Sequence, residues 1–147
     1  MDQKRIIDEF KELVSIEVHS RDERAIADVL KEKLTALGLT VTEDKAGEAL
    51  GGNTGNLYAQ LPGSTDGEPV LFSAHMDRVG NHGHIVPLVK EEEGKIVSDG
   101  TSILAGDDIG GVAAILAMLR EVKEKQIPHG PIEVAFSVCE EMGVEGS

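Results

Sequence analysis

The segment V-L-F-S-A-H-M-D-R-V-G at Val70–Gly80 constrains this chain more than any other. Its apolar, β-compatible start demands burial in a sheet, and a small-residue step (Ser73, Ala74) then delivers His75 and Asp77 two positions apart. In an open α/β sheet the carboxyl ends of the strands face the ligand, which places these two side chains toward a site and away from the core. Residues i and i+2 share one side of an extended segment. Asp77 can therefore accept a hydrogen bond from one ring nitrogen of His75 and leave the other free for a metal. Alone, His-x-Asp also fits a strand that simply runs out in two solvated polar residues.

Two later stretches repeat the design. Leu104–Gly111 reads L-A-G-D-D-I-G-G, an acidic pair at the mouth of a helix, and Ile132–Gly143 reads I-E-V-A-F-S-V-C-E-E-M-G, an apolar strand ending in adjacent carboxylates. Taken singly, the first is also a helix cap and the second a solvated strand end. Neighbouring carboxylates without basic partners repel, and a bound cation is the usual offset. Asp107, Asp108, Glu140 and Glu141 converging near His75 would suit a dinuclear zinc site.

The rest of the chain supplies the frame. Ile6, Ile7, Phe10, Leu13 and Val14 recur at helical spacing and predict a helix over about Asp2–Glu17. Ser20 followed by Glu23 has the capping-box pattern and opens a second helix with an apolar face of Ile26, Val29, Leu30, Leu34 and Leu37, closed by Gly38. Leu39–Glu43 and Asn56–Leu61 read as partner strands, and Gly47–Gly55 between them reads as a connecting loop without the Lys and Ser/Thr of a phosphate-binding loop. Leu88–Val97 predicts two short strands around an acidic turn, and Val112, Ile115, Leu116, Leu119 and Val122 mark a helix that starts near Ile109 and ends before Pro128. Ile132–Cys139 is the last strand. The order helix, helix, strand, strand, strand, helix, strand is α/β, with a sheet that is at least partly parallel, in one domain.

Composition removes some functions. A formal net charge of −13, with 14 Lys and Arg residues in no cluster, argues against nucleic acid as a partner. The one cysteine, Cys139, sits in an apolar run as a small buried side chain, permits no internal disulfide and points to a reducing cytoplasm. The start M-D-Q-K-R-I-I-D-E-F is charged and amphipathic, unlike a signal peptide, and no apolar stretch reaches the length of a membrane span. His19 in the helix joint, His82 and His84 in a glycine-flanked loop, and His129 in a turn read as surface, solvated or structural residues.

S-A-H-M-D at 73–77, S-D-G-T-S-I-L-A-G-D-D at 98–108 and S-V-C-E-E-M-G at 137–143, in this order and spacing, resemble the peptidase T branch of the co-catalytic zinc exopeptidases, relatives of glutamate carboxypeptidase and the acylamino-acid deacylases. The resemblance implies a three-layer α/β sandwich with a mixed, largely parallel sheet, and two zinc ions per complete site. It also assigns roles: His75 would ligate one zinc, Asp107 would bridge both, Glu141 would ligate the other, Asp77 would orient His75, and Glu140 would be the general base for a metal-bridging water. The substrate would be a short peptide attacked by a tripeptidase-type aminopeptidase. Where the family commonly has A-D-D-K, this chain carries Gly106 and Ile109, so the role of that lysine is lost.

In the family a further acidic ligand, a second histidine and a lid domain lie downstream of the paired glutamates. The chain is accordingly expected to be the N-terminal part of a catalytic domain, with lid and C-terminal part absent, to bind zinc weakly and hydrolyse little by itself, and to self-associate through uncovered apolar surface. Alternatives are a glutamyl aminopeptidase of the self-compartmentalising group, through its similar E-E-M-G-V-E-G-S segment, a non-catalytic metal-binding or assembly module, and a nucleotide-binding domain resting only on Gly106, Gly110 and Gly111.

Overall fold

The computed structural model describes residues 2–80 and 83–146. Helix α1 spans Gln3–Val14, and the Asp2 side chain caps it by accepting from the amides of Lys4 and Arg5. Its buried face is Phe10, Leu13 and Val14, the helical repeat visible in the sequence. Helix α2 spans Arg24–Leu37, buries Ile26, Ala27, Leu30 and Leu34, and is closed by Gly38 at φ 98°, a conformation that favours glycine.

The expected capping box at its start does not form. Ser20 lies outside the helix, and Glu23 occupies the cap position without a side-chain cap bond. Both side chains are taken up by the functional site described below.

Strand β1 (Thr40–Glu43) pairs antiparallel with β2 (Leu57–Leu61). The stretch between them is more than a connection, because Ala46–Leu50 forms a short helix, α3. Its glycines are explained by close backbone approach: a Cβ at Gly47 would stand 1.8 Å from the Thr54 carbonyl oxygen, and one at Gly55 would stand 1.9 Å from that of Asp44.

Strand β3 (Val70–His75) is followed by an antiparallel pair, β4 (Pro87–Lys90) and β5 (Lys95–Ser98), around the acidic turn Glu91–Glu93 as the sequence predicts. Helix α4 covers Gly106–Glu124, with non-helical angles at Asp107 and Asp108, so its regular part begins at Ile109. Strand β6 (Ile132–Ser137) completes a sheet of order β1-β2-β6-β3.

The α/β arrangement with a mixed sheet is therefore present: β3 runs parallel to β6, while β6 with β2 and β2 with β1 are antiparallel. On β2 and β6, Leu57, Ala59, Ile132, Val134 and Phe136 are buried, with α2 and α4 lying against the sheet. At roughly 1.5–3 kcal/mol for each large apolar side chain removed from water, this face holds the layers together. On the opposite face Tyr58, Gln60, Leu71 and Ser73 are exposed, and Val70 is exposed too, so β3 is buried only at its Ala74–His75 end and not along the apolar run that the sequence reading buries. Helix α1 packs on α4, where buried Glu9 pairs with Arg120 and with Lys33 of α2. Among the described residues no helix is long and apolar enough to cross a membrane.

Candidate metal centre

The parallel pair β3 and β6 brings two of the three polar segments to one edge, since His75 stands in register with Ser137. The start of α4 supplies the third. His75 Nε2 lies 3.1 Å from Asp107 Oδ1 and 3.7 Å from Glu140 Oε2. One ligand atom each from His75, Asp107 and Glu141 falls within 4.8 Å of the other two. An imidazole and two carboxylates at this separation fit a divalent metal such as zinc.

The acidic pair at 107–108 divides between its two readings. Asp107 turns to His75, with its side chain 86% exposed, whereas Asp108 accepts from the Gly111 amide at 3.1 Å and caps the regular part of α4. Asp108 is thus outside the ligand group, which corrects its inclusion among the converging carboxylates. A second correction concerns Glu140 and Glu141. They do not end the strand but form a single 3-10 turn, Glu140–Met142, entered through Cys139 in the left-handed conformation at φ 54°.

Asp77 is fully buried and organises both sides of the group. Its Oδ1 accepts from the Glu140 amide at 3.0 Å, and its Oδ2 accepts from the Glu141 amide at 3.2 Å and from the Ser20 hydroxyl at 2.6 Å. The expected hydrogen bond between the His75 ring and the Asp77 carboxylate is taken instead by the Asp77 main-chain carbonyl, 3.0 Å from Nδ1, while Asp77 Oδ1 lies 3.4 Å from the same nitrogen.

The electrostatics follow from this packing. Burial disfavours a charged imidazole at His75, but Asp77 and Asp107 outweigh it and push its pKa up to about 9. Burial likewise opposes charge on Asp77, yet His75, Ser20 and the two glutamate amides hold it below the usual carboxylate range. Glu141 is raised, by desolvation and then by the surrounding carboxylates, of which Asp107 is the foremost. A bound cation would relieve that repulsion, and His75 would bind it as the neutral imidazole.

Four residues of this neighbourhood escaped sequence reasoning. Ser20 and Glu23 carry a capping-box signal that masks their actual contacts. Arg78 is buried and donates to the main-chain carbonyls of Val14, Val18 and Gly83, tying the end of α1 to the loop after β3. Its only sequence signal is a cation directly after Asp77. Asn56 also matters: it accepts from the Val138 amide and donates to the Gly146 carbonyl, bracketing the glutamate turn.

Among the described residues, His19, His84 and His129 are not part of the ligand group. His84 Nδ1 faces the Ser15 carbonyl, His129 sits in its turn against the Gly130 carbonyl, and His19 lies 3.6 Å from Asp22. His82 lies outside the described residues. Cys139 is buried as expected.

Residues 56–147 match the family described as peptidase family M28. Over all 147 residues the chain is 38% identical to the protein YqjE of Bacillus subtilis, 39% of which it covers. Peptidase T of Staphylococcus carnosus is 37% identical over 94 residues, 62% of this chain and 22% of that protein. Among solved structures, aminopeptidase PepT from Bacillus cereus superposes with a TM-score of 0.93 at 42% identity, over 97% of this chain and 38% of that one. A tripeptidase from Staphylococcus aureus gives 0.95 at 39% identity, over 99% of this chain and 39% of that one. The chain thus spans about two fifths of the length of the relatives it matches from end to end.

Proposed function

The chain belongs to peptidase family M28, and from that premise we propose that it forms the N-terminal part of the catalytic domain of a zinc-dependent aminopeptidase of tripeptidase type. The observation that carries the reading is the meeting of His75, Asp107 and Glu141, three residues from three separate segments, with ligand atoms within 4.8 Å of one another. Likeness to the aminopeptidase from Bacillus cereus and the tripeptidase from Staphylococcus aureus supports the substrate class, a short peptide.

In this reading His75, Asp107 and Glu141 would hold the metal, and Asp107 would be the ligand shared between two ions. Zinc supplies polarisation of the scissile carbonyl and acidification of water. Glu140 is the proton carrier: it stands at the same edge without belonging to the ligand group, and its Oε2 takes the proton from the attacking water and returns it to the departing amine. Asp77 would keep the His75 ring oriented, with Nδ1 turned toward Asp77 and Nε2 toward Asp107, free to be a metal ligand.

The test is a calorimetric titration of zinc into the chelator-stripped chain, beside His75→Ala and Asp107→Asn. Binding that weakens at least tenfold in each variant is the expected result. Binding indifferent to both substitutions overturns the assignment. Glu140→Gln is expected to keep the metal and, in a protein that turns over an unblocked tripeptide, to abolish that turnover.

A further inference from the structure

We propose that Ser20 and Glu23, on the joint between α1 and α2, are positioning residues of the metal centre, holding the Glu140–Glu141 turn through Asp77 and through the Cys139 peptide. The inference rests on the metal reading above but names residues outside the group of ligand atoms.

Glu23 is the stronger clue. Its side chain is fully buried, an expensive placement for a carboxylate, and its Oε2 has no hydrogen-bond partner among the described residues. Capping of α2 does not explain it, because it makes no cap bond there. What it does instead is accept, through Oε1, from the Arg21 amide at 3.0 Å and from the Cys139 amide at 3.1 Å. Cys139 is the left-handed residue at which the chain leaves β6 and enters the glutamate turn. A non-glycine residue in that conformation persists where its surroundings hold it. Glu23 supplies the hold on one side of the turn.

Ser20 supplies it on the other. Its hydroxyl donates to Asp77 Oδ2, the same oxygen that accepts from the Glu141 amide. With Ser20 in place the Asp77 carboxylate is fixed by three donors and presents a set geometry to His75 and to both glutamates. The joint itself is ordered by the Asp22 amide donating to the His19 carbonyl at 2.9 Å and by the Asn53 amide donating to the Arg21 carbonyl at 3.1 Å. Ligand carboxylates that are held from behind bind metal more tightly and with better defined geometry than free ones.

Four variants of the full chain test this: Ser20→Ala and Glu23→Ala, which remove the contacts, and Ser20→Thr and Glu23→Gln, which keep a hydroxyl donor and a carbonyl acceptor. Two readouts are taken, the d–d absorption and affinity of added cobalt(II), and amide hydrogen exchange at Glu140 and Glu141 in the metal-free chain. The alanine variants are expected to lose cobalt affinity about tenfold or more, to shift the d–d bands, and to speed exchange at those two amides while β2 and α4 stay protected. Thr and Gln are expected to restore both readouts. Unchanged exchange and unchanged spectra in Ser20→Ala overturn the proposal, as does acceleration spread evenly over the whole chain. Should Glu23→Ala fail to fold, Ser20→Ala decides. If the wild-type chain takes up no cobalt, the metal reading falls, and the exchange pattern alone still decides whether the joint holds the turn.

Discussion

The carboxylate of Asp77 accepts a hydrogen bond from the backbone amide of Glu140 at 3.0 Å, across a separation of 63 residues. Because the same side chain also takes the Glu141 amide and faces His75 Nδ1, it locks the end of β3 to the turn after β6. A buried carboxylate with this many donors is hard to replace. In Asp77→Asn one oxygen becomes an amide nitrogen, which cannot accept from a backbone N–H. Zinc affinity is expected to fall 10–100-fold, with a lower melting temperature. Calorimetry and thermal denaturation check this, and an Asn variant equal to wild type in both sinks the role given to Asp77.

His75 predicts a pH dependence of metal uptake. Its pKa is raised from 6.5 to about 9 by Asp77 and Asp107, which overcome the opposing effect of burial, so the metal-free imidazole is charged at neutral pH. The sign follows: this charge stabilises the metal-free fold fully below about pH 6.5, and that contribution is lost as pH rises through about 9. A metal must displace the proton, so apparent zinc affinity should climb about tenfold per pH unit between pH 6 and 8. Titrations at three pH values, with the ring followed by NMR in the metal-free chain, measure both. An affinity independent of pH removes the argument.

The fold was readable where periodicity is local. The repeats in α1 and α2, the paired strands around Glu91–Glu93 and the helix beginning at Ile109 all depend on neighbours within a few positions, and they form as their residues predict. Charge repulsion and strand-end placement point to Asp107, Asp108, Glu140 and Glu141 meeting near His75, and the choice of Asp107 and Glu141 among them comes from the resemblance to peptidase T; the ligand atoms that meet are those of His75, Asp107 and Glu141. What sequence missed are contacts set by tertiary register. Ser20 and Glu23 satisfy a local capping pattern, yet their partners, Asp77 and Cys139, are brought to them by the sheet. Asp107 and Asp108 are chemically identical in sequence, and only the break in helical geometry at the start of α4 sends one to the histidine and the other to the cap.

Cys139 should behave as a buried residue and not as a nucleophile. Burial first, and then the nearby Glu23 carboxylate, push its thiol up to about 11. Its thiolate population at neutral pH is therefore small, and thiolate is the reactive form. Reaction with a chromogenic disulfide reagent at pH 7–8 is expected to be at least a hundredfold slower in the native chain than in urea. Equal rates in the two states would show that the thiol is accessible and that its packing against Glu23 is not maintained.

Glu43 offers a test of the scaffold separate from the metal. It pairs with Arg24 of α2, receives Lys31 Nζ at 3.0 Å and accepts from the Gly55 amide at 3.1 Å, binding β1 to α2 and to the tight loop that ends at Gly55. The Arg24 hydrogen bond, opposed by burial and aided by Gly55 and Lys31, lowers its pKa from 4.5 to about 2. Depression in the folded state means that stability is present above the unfolded value of 4.5 and is lost as pH falls toward 2. At about 1.4 kcal/mol per pH unit the full shift would be worth roughly 3 kcal/mol. Arg24 and Lys31 are 33% and 40% exposed, and screening by water cuts the expected value to about 1–2 kcal/mol. Glu43→Gln should therefore be less stable than wild type by about that amount at pH 7 in urea denaturation. The gap should narrow as pH drops below 4.5 and be mostly gone near 2, where the Glu43 carboxylate of the folded wild type is becoming a neutral acid and no longer pairs with Arg24 and Lys31 as an ion. A gap that stays constant down to pH 2 would assign the loss to packing, and no gap at pH 7 would show that these contacts add nothing to the fold.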